Sequence, residues 1–384
     1  KLFGKPFDDA HDAAYDVDAT ARAFFECLRR KIIKTFDDTD PSKITSEAPD
    51  REAANFSWAR EKRTGRASNE EVAVEDIKGP FCHLHVHSQF SVLQATPNVE
   101  SIVAKAKAFD MPAVAITDLG NMFGAFKFVR AALNAGVKPI VGCEFFVAEE
   151  RLKLQFTKDN PDRRFQQVLM AKNKKGYENL VKLSSYAYIE GLYGRYPRVD
   201  KGLIKKYREG VIATSGGLYG EIPHLILNVG EHQAEEALQW WLDLFGDDFY
   251  LEINRHGLDE ENHLNDVLIG FARKYNVKMI AANELFYLDE EDSKAHDVLI
   301  CIKENEKQST PIGRGRGFRL GLKNSKYYFK GQEEMKAAFT DLPEAIENIA
   351  ELIGKVEEFK LDFNSFAWSR GNYGAVYTRT PVRI

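Results

Sequence analysis

Three histidines alternate along residues 81–88, which read Phe-Cys-His-Leu-His-Val-His-Ser. Because successive side chains of a β-strand point to opposite faces, we expect His83, His85 and His87 to share one face and the intervening Leu and Val the other. Three imidazoles on one face are costly to bury without partners, and divalent metal ions commonly bind neutral imidazole. The segment therefore predicts half of a metal site, whose remaining ligands must come from other parts of the chain.

The elements around this segment alternate between strands and helices. Apolar, strand-like runs are predicted at 81–87, 113–117, 138–147, 166–172, 210–215, 248–254 and 277–283. Helical patterns separate most of these runs, which predicts an α/β fold with a parallel sheet. An open doubly wound sheet and a closed barrel fit the pattern equally well, although the lack of a GxGxxG motif after the first strand disfavours a dinucleotide-binding version.

If the sheet closes into a barrel, functional groups gather at the carboxyl ends of its strands. His85, His87 and Glu144 are then the candidate ligands of one divalent metal (Zn, Mn or Mg), with Asp118 or Glu284 as additional candidates. Two-metal hydrolytic centres need bridging carboxylates and more ligands than this set offers. The alternative is a metal-free barrel mouth in which these side chains hydrogen-bond to one another or to water.

The net charge of −5 over 384 residues excludes a uniformly basic nucleic-acid-binding protein and leaves only a local basic patch. Arg314, Arg316 and Arg319 lie in one glycine-containing loop and are the candidate contacts to a DNA phosphate backbone. A solvated loop without a ligand is the alternative.

Four cysteines lie far apart in the sequence, with no Cys-x-x-Cys pair. This spacing is typical of a reducing compartment, so we expect a cytoplasmic protein without a disulfide framework. No apolar run approaches the roughly 20 residues that a membrane-spanning helix needs, so no membrane contact is expected.

Composition and periodicity divide the chain into five parts. Residues 1–30 carry one amphipathic helical pattern, and residues 31–79 have the polar, apolar-poor composition of a flexible linker. The strand–helix alternation occupies residues 80–288. A mainly helical pattern follows over residues 289–362, and residues 363–384 have no period that assigns them.

Six motifs, in order, resemble the PHP (polymerase and histidinol phosphatase) domain found at the N-terminus of bacterial replicative DNA polymerase III alpha subunits. They are residues 81–88, 115–124, 138–144, 169–173, 176–185 and 250–253. The resemblance implies a distorted (β/α)₇ barrel. Residues 295–299 and 341–345 are similar to the entry into the polymerase core of that family, which implies that residues 289–362 begin that core.

The resemblance also carries over a set of metal ligands, which occupy nine positions in metal-binding members of the family. His85 and His87 match the first pair, and Glu144 matches the carboxylate of the third strand. The positions that depart from the pattern hold Gln94, Leu119, Gln166, Gly217 and the segment Glu284-Leu285-Phe286. The resemblance therefore implies a degenerate site in a barrel that serves as a non-catalytic scaffold.

The first helical pattern resembles the last motif of epsilon-type DEDDh proofreading exonucleases. His11 would match the general base and Asp16 a metal ligand, and one helix cannot supply a two-metal site, so we expect both to be inert here. The resemblance implies a parent protein in which an exonuclease is fused to the polymerase.

These observations together predict an N-terminal fragment of a polymerase III alpha subunit, acting in DNA replication. The parent would be a nucleotidyltransferase, a DNA-directed DNA polymerase, whose palm active site lies outside this fragment. Its expected partners are the polymerase III core and holoenzyme subunits and primer–template DNA. Two alternatives stay open: a metal-dependent phosphoesterase or 3′–5′ exonuclease that uses His85, His87 and Glu144, and a DNA-binding module that acts through the arginine loop.

Overall fold

A computed structural model describes residues 71–157, 160–313, 315–359 and 361. The predicted first helix with His11 and Asp16, most of the predicted linker, Arg314 and the tail from residue 363 lie outside the described residues. The part of the predicted linker that is described contains a 3₁₀ helix at Val74–Asp76, and Ile77 is buried in the core that follows.

A seven-stranded sheet forms the centre of the described chain. Its strands are β1 Ala113–Ile116, β2 Lys138–Ala148, β3 Arg164–Ala171, β4 Arg198–Asp200, β5 Val211–Thr214, β6 Phe249–Asn254 and β7 Met279–Ala282. They are ordered β1-β2-β3-β5-β6-β7, with β4 added beside β2. The α/β barrel predicted from the sequence is confirmed as a mixed fold with a curled sheet.

Helices connect and cover the strands. Their bounds are α1 Val99–Ala108, α2 Ala125–Ala135, α3 Lys174–Ile189, α4 Lys201–Lys206, α5 Glu221–Asn228, α6 Glu231–Phe245, α7 Asp259–Tyr275, α8 Ser293–Glu304, α9 Gln332–Ala337 and α10 Pro343–Lys355, with 3₁₀ helices at Gly246–Asp248 and Glu290–Asp292. Their apolar stripes pack on the sheet and form one continuous core with it. Among the residues described, no helix is both long and apolar enough to cross a membrane.

The prediction of a parallel sheet is wrong at β3, which runs antiparallel to both β2 and β5. The remaining pairs are parallel. A parallel connection needs a crossover, usually a helix, whereas residues 149–163 between β2 and β3 contain no helix among those described. The chain therefore returns beside β2 in the opposite direction.

The histidine segment is extended but forms only an isolated bridge, so the prediction of a strand over 81–87 is also wrong. On one side, the carbonyl of His83 accepts a hydrogen bond of 2.9 Å from the N–H of Ala115 in β1. On the other side, the N–H of His87 donates to the carbonyl of Leu285, just after β7. The segment thus connects β1, the first strand of the sheet, with the residues after β7, the last strand, and closes the barrel.

The C-terminal segment packs against the barrel through α10. Ile346 and Ile349 are buried in the shared core, and Asn348 donates from Nδ2 to the carbonyl of Met279 at 2.9 Å. This packing makes the segment after β7 part of the same folded unit as the barrel.

Candidate metal centre

Four side chains from three parts of the barrel converge at its centre. His85 and His87 come from the extended segment, Glu144 from the middle of β2 and Glu284 from the loop after β7. One possible ligand atom from each residue lies within 4.8 Å of the others, and all four residues are buried. We call these four residues the His/Glu group. It is the only such group of three or more in the part of the chain that the structure describes.

Both histidines of the group point their Nε2 atoms inward because their Nδ1 atoms are held from behind. His85 Nδ1 lies 2.9 Å from Glu252 Oε2, and His87 Nδ1 lies 3.1 Å from the carbonyl oxygen of Leu285. A second contact of this kind fixes the orientation of an imidazole and leaves the other nitrogen available as a ligand.

The two inward nitrogens meet one carboxylate oxygen. Glu144 Oε2 lies 2.7 Å from His87 Nε2 and 3.4 Å from His85 Nε2. Among the described residues, His85 Nε2 makes no hydrogen bond although it is fully buried. A buried polar atom without a partner is costly, so this nitrogen is suited to an ion.

Glu252, which holds His85, is itself fixed by the end of β5. Its carboxylate accepts a hydrogen bond from the Thr214 hydroxyl, and its N–H donates to Ser215 Oγ at 2.9 Å. Sequence reasoning did not assign Glu252 to the site, because its role depends on a contact to His85 across the barrel. Its position in β6, within a motif of the resemblance, was the available signal.

Asp118 supports the histidine segment. Its carboxylate accepts hydrogen bonds from the Ser88 N–H, the Ser88 hydroxyl and the Ser91 hydroxyl, at 2.7 to 2.8 Å. Burial raises the pKa of Asp118, although these donors oppose the shift. The carboxylate is therefore committed to the loop that follows His87.

The charges of the group are strongly coupled. Burial alone would lower the pKa of His85, but the carboxylates of Glu252 and Glu144 outweigh it and raise this pKa well above its usual value. Burial alone would raise the pKa of Glu144, but His85 and His87 lower it to about 2. Burial raises the pKa of Glu284, and the charge of Glu144 adds to this shift. Without a metal ion, the carboxylates of Glu252 and Glu144 therefore favour the positively charged, doubly protonated form of the His85 imidazole.

Several positions that depart from the resembled metal-ligand pattern hold side chains that make other contacts. Phe286 stacks on the ring of His87, with ring centres 4.4 Å apart and planes 11° from parallel. Leu119 is buried beside Glu144, with which it forms a bridge. Gln94 Oε1 accepts a hydrogen bond of 2.8 Å from Lys303. These positions offer the barrel centre no further ligands.

The two described arginines of the glycine-containing loop, Arg316 and Arg319, lie in different environments. Arg319 is buried, and its guanidinium contacts both carboxylate oxygens of Asp297, at 2.6 and 3.0 Å. Its Nε donates to the Thr310 carbonyl at 2.8 Å. Arg316 is exposed. Of the predicted DNA contacts that are described, Arg316 is thus the one presented to solvent.

The His/Glu group fits one divalent metal ion. Two imidazole nitrogens and two carboxylate oxygens form a donor set typical of Zn²⁺ and also suited to Mn²⁺ or Fe²⁺. Within the described part of the chain, His85 Nε2 makes no hydrogen bond, which supports this fit.

Residues 83–256 of the chain match the family model described as the PHP domain. The match begins within the histidine segment and ends after β6, so it contains His85, His87 and Glu144 but not Glu284.

Curated relatives of the chain are named DNA polymerase III subunit alpha. The relative from Borreliella burgdorferi is 41% identical over 287 residues, which cover 75% of this chain and 24% of the relative. The relative from Thermus aquaticus is 41% identical over 268 residues, covering 69% and 21%. The chain thus spans about a quarter of the length of these relatives. A solved structure of an amidohydrolase from Chromobacterium violaceum is 13% identical to this chain, with a TM-score of 0.33, and the match covers 53% of this chain and 87% of that one.

Proposed function

We propose that the chain is the PHP-containing part of a bacterial replicative DNA polymerase III alpha subunit, and that its barrel is a scaffold held together by one divalent ion. The similarity to the alpha subunits over most of the chain supports the first statement. The second rests on one observation: four buried side chains, each with a possible ligand atom within 4.8 Å of the others, converge at one point. Four protein ligands are typical of structural zinc sites, whereas catalytic sites keep a position open for water or substrate.

In this proposal His85, His87, Glu144 and Glu284 hold the ion, which supplies charge neutralisation and cross-linking. The residues themselves bring together the histidine segment, β2 and the loop after β7. Glu252 orients His85 through Nδ1, and the carbonyl of Leu285 orients His87. The ring of Phe286 covers one face of His87 and helps to keep water from the group.

The whole protein would be a DNA-directed DNA polymerase that acts in the cytoplasm on primer–template DNA, within the polymerase III holoenzyme. Arg316 would contact the DNA backbone. His11 and Asp16 would be the remnant of a fused proofreading exonuclease, an assignment supported by their motif alone. Reading the coding DNA on both sides of this chain tests the assignment. An exonuclease upstream and a polymerase palm downstream would support it, and unrelated flanking sequence would contradict it.

Metal analysis and a hydrolase assay on the purified protein test the scaffold role. We expect one equivalent of Zn or Mn per chain and no hydrolysis of bis(p-nitrophenyl) phosphate or single-stranded DNA. The variant His85→Ala should lose the metal. Hydrolysis that is present in the wild type and absent from His85→Ala would instead make the barrel a metal-dependent phosphoesterase or exonuclease.

A further inference from the structure

Gly217, just after β5, lies directly beneath the carboxylate of Glu284. A Cβ added at Gly217 would lie 2.7 Å from Glu284 Oε2 and 3.4 Å from Glu284 Cδ. The next nearest atom, His85 Cε1, would be 3.9 Å away, which is an ordinary contact. The carboxylate of Glu284 therefore occupies the space that a side chain at position 217 would need.

The backbone at Gly217 does not require glycine. Its φ lies outside the left-handed region, unlike that of its neighbour Gly216, whose φ is +71°. Glycine at position 217 is therefore explained by the Glu284 carboxylate beside it and not by a left-handed backbone conformation.

The main chain of Glu284 is held on both sides, so its side chain has a fixed origin. Its N–H donates to Asn254 Oδ1 at 3.3 Å, and its carbonyl oxygen lies 3.1 Å from His256 Nε2. His256 is oriented in turn by Glu261, with Nδ1 2.6 Å from Glu261 Oε1. A group that pushed the carboxylate away could not be accommodated by a simple shift of this backbone.

We propose that Gly217 and Glu284 form a matched pair, in which the absence of a side chain at position 217 admits the glutamate carboxylate as the fourth ligand of the His/Glu group. The proposal rests on the proposed metal site and specifies which residue controls access to it. Glycine at position 217 and glutamate at position 284 are then explained together. His256, through the carbonyl of Glu284, is a positioning residue of the same ligand.

A double-mutant cycle tests the pair. The variants are Gly217→Ala, Glu284→Ala and the double variant, with Gly270→Ala as the matched control, because Gly270 is exposed within α7 and a Cβ there would meet nothing within 4 Å. The chelator-stripped chain is titrated with Zn²⁺ and, separately, Mn²⁺ by calorimetry. We expect Gly217→Ala and Glu284→Ala each to weaken binding at least about tenfold. The double variant should bind like Glu284→Ala, since the added Cβ crowds Glu284 alone.

Each outcome decides the proposal. Wild-type affinity in Gly217→Ala, or losses that add in the double variant, would overturn it while leaving the metal site intact. A wild-type chain that binds neither ion would instead overturn the metal site, and the matched pair with it. If Gly217→Ala fails to fold but the double variant folds, the crowding of Glu284 is demonstrated directly and the pairing is supported.

Discussion

Replacing His85 with alanine in the metal-free protein is expected to destabilise the fold strongly. The imidazole is fully buried between two carboxylates, 2.9 Å from Glu252 Oε2 and 3.4 Å from Glu144 Oε2. Removing one partner of a buried ion pair costs about 3–5 kcal/mol, because the charge left behind is uncompensated. Glu144 keeps His87, and Glu252 keeps the hydroxyl of Thr214. We therefore expect the lower end of this range, a loss of about 3 kcal/mol in the free energy of unfolding.

The loss should depend on pH in a defined direction. In the folded protein the carboxylates overcome the effect of burial and raise the pKa of His85 well above its ordinary value of 6.5. A group whose folded pKa is raised contributes stability that is fully present below the unfolded pKa and is lost as pH rises through the folded pKa. The difference between wild type and His85→Ala should therefore be large near pH 6.5 and shrink at alkaline pH.

Urea unfolding in the presence of EDTA, followed by circular dichroism at pH 6.5 and pH 9.5, measures this difference. The matched control is His232→Ala, because the His232 side chain is 77% exposed and its contact to Glu236 is 3.7 Å long. An exposed pair of this kind contributes at most about 1 kcal/mol. A loss below about 1 kcal/mol for His85→Ala at pH 6.5, or one that does not change with pH, would refute a protonated imidazole between the two carboxylates.

Three further outcomes are expected. Adding Zn²⁺ at about one hundred times its dissociation constant to the stripped wild type should raise the free energy of unfolding by about 2.7 kcal/mol, measured by urea titration; an equal gain in His85→Ala would contradict the proposed ligands. Arg319→Ala should lower the free energy of unfolding by about 1.5–3 kcal/mol, because its charged hydrogen bonds are lost. Arg316→Ala should leave stability unchanged and weaken salt-dependent binding to primer–template DNA, measured by fluorescence anisotropy. The reverse pattern would place the DNA contact at Arg319. The pKa of Glu144 is lowered to about 2, so its ionised carboxylate stabilises the fold above its ordinary pKa of 4.5, and this stabilisation is lost as pH falls through about 2. Glu144→Gln should therefore lose less stability than the wild type between pH 5 and pH 2, measured by circular dichroism. An unchanged loss of stability over this pH range would argue against the lowered pKa.

The alternation of the histidine segment placed His85 and His87 on one face, and in the structure both lie close to Glu144. Their role as metal ligands stays a prediction. His83 has the same parity but lies outside the group, with its Nε2 2.9 Å from the carbonyl of Lys330. Each two-residue step along an extended chain advances by about 6.6 Å, so one ion cannot serve three successive alternate positions. Periodicity fixes the face of a strand but not which of its residues share a centre.

The remaining features depend on contacts between distant parts of the chain. The antiparallel direction of β3 follows from a connection without a helix, which the apolar pattern of the strand itself does not report. Glu252 belongs to the site through one contact across the barrel, 167 positions from His85. Glu284 was only an additional candidate in the sequence, and its place in the His/Glu group depends on a close contact with Gly217, a residue from a distant part of the chain.

In the proposed scaffold, the positions that depart from the resembled ligand pattern change the kind of site rather than abolish it. Metal-assisted hydrolysis would need an ion with an open position for water. Phe286 stacks on His87 and Leu119 is buried, and neither side chain can bind an ion. The two histidines are oriented through their Nδ1 atoms and all four residues are buried, which favours tight binding of one ion over turnover. In the proposed scaffold the ion would cross-link the histidine segment to β2 and to the loop after β7. Selection on such a site would act on stability, and for this reason metal affinity and unfolding, rather than catalytic rate, are the measurements that can refute its role.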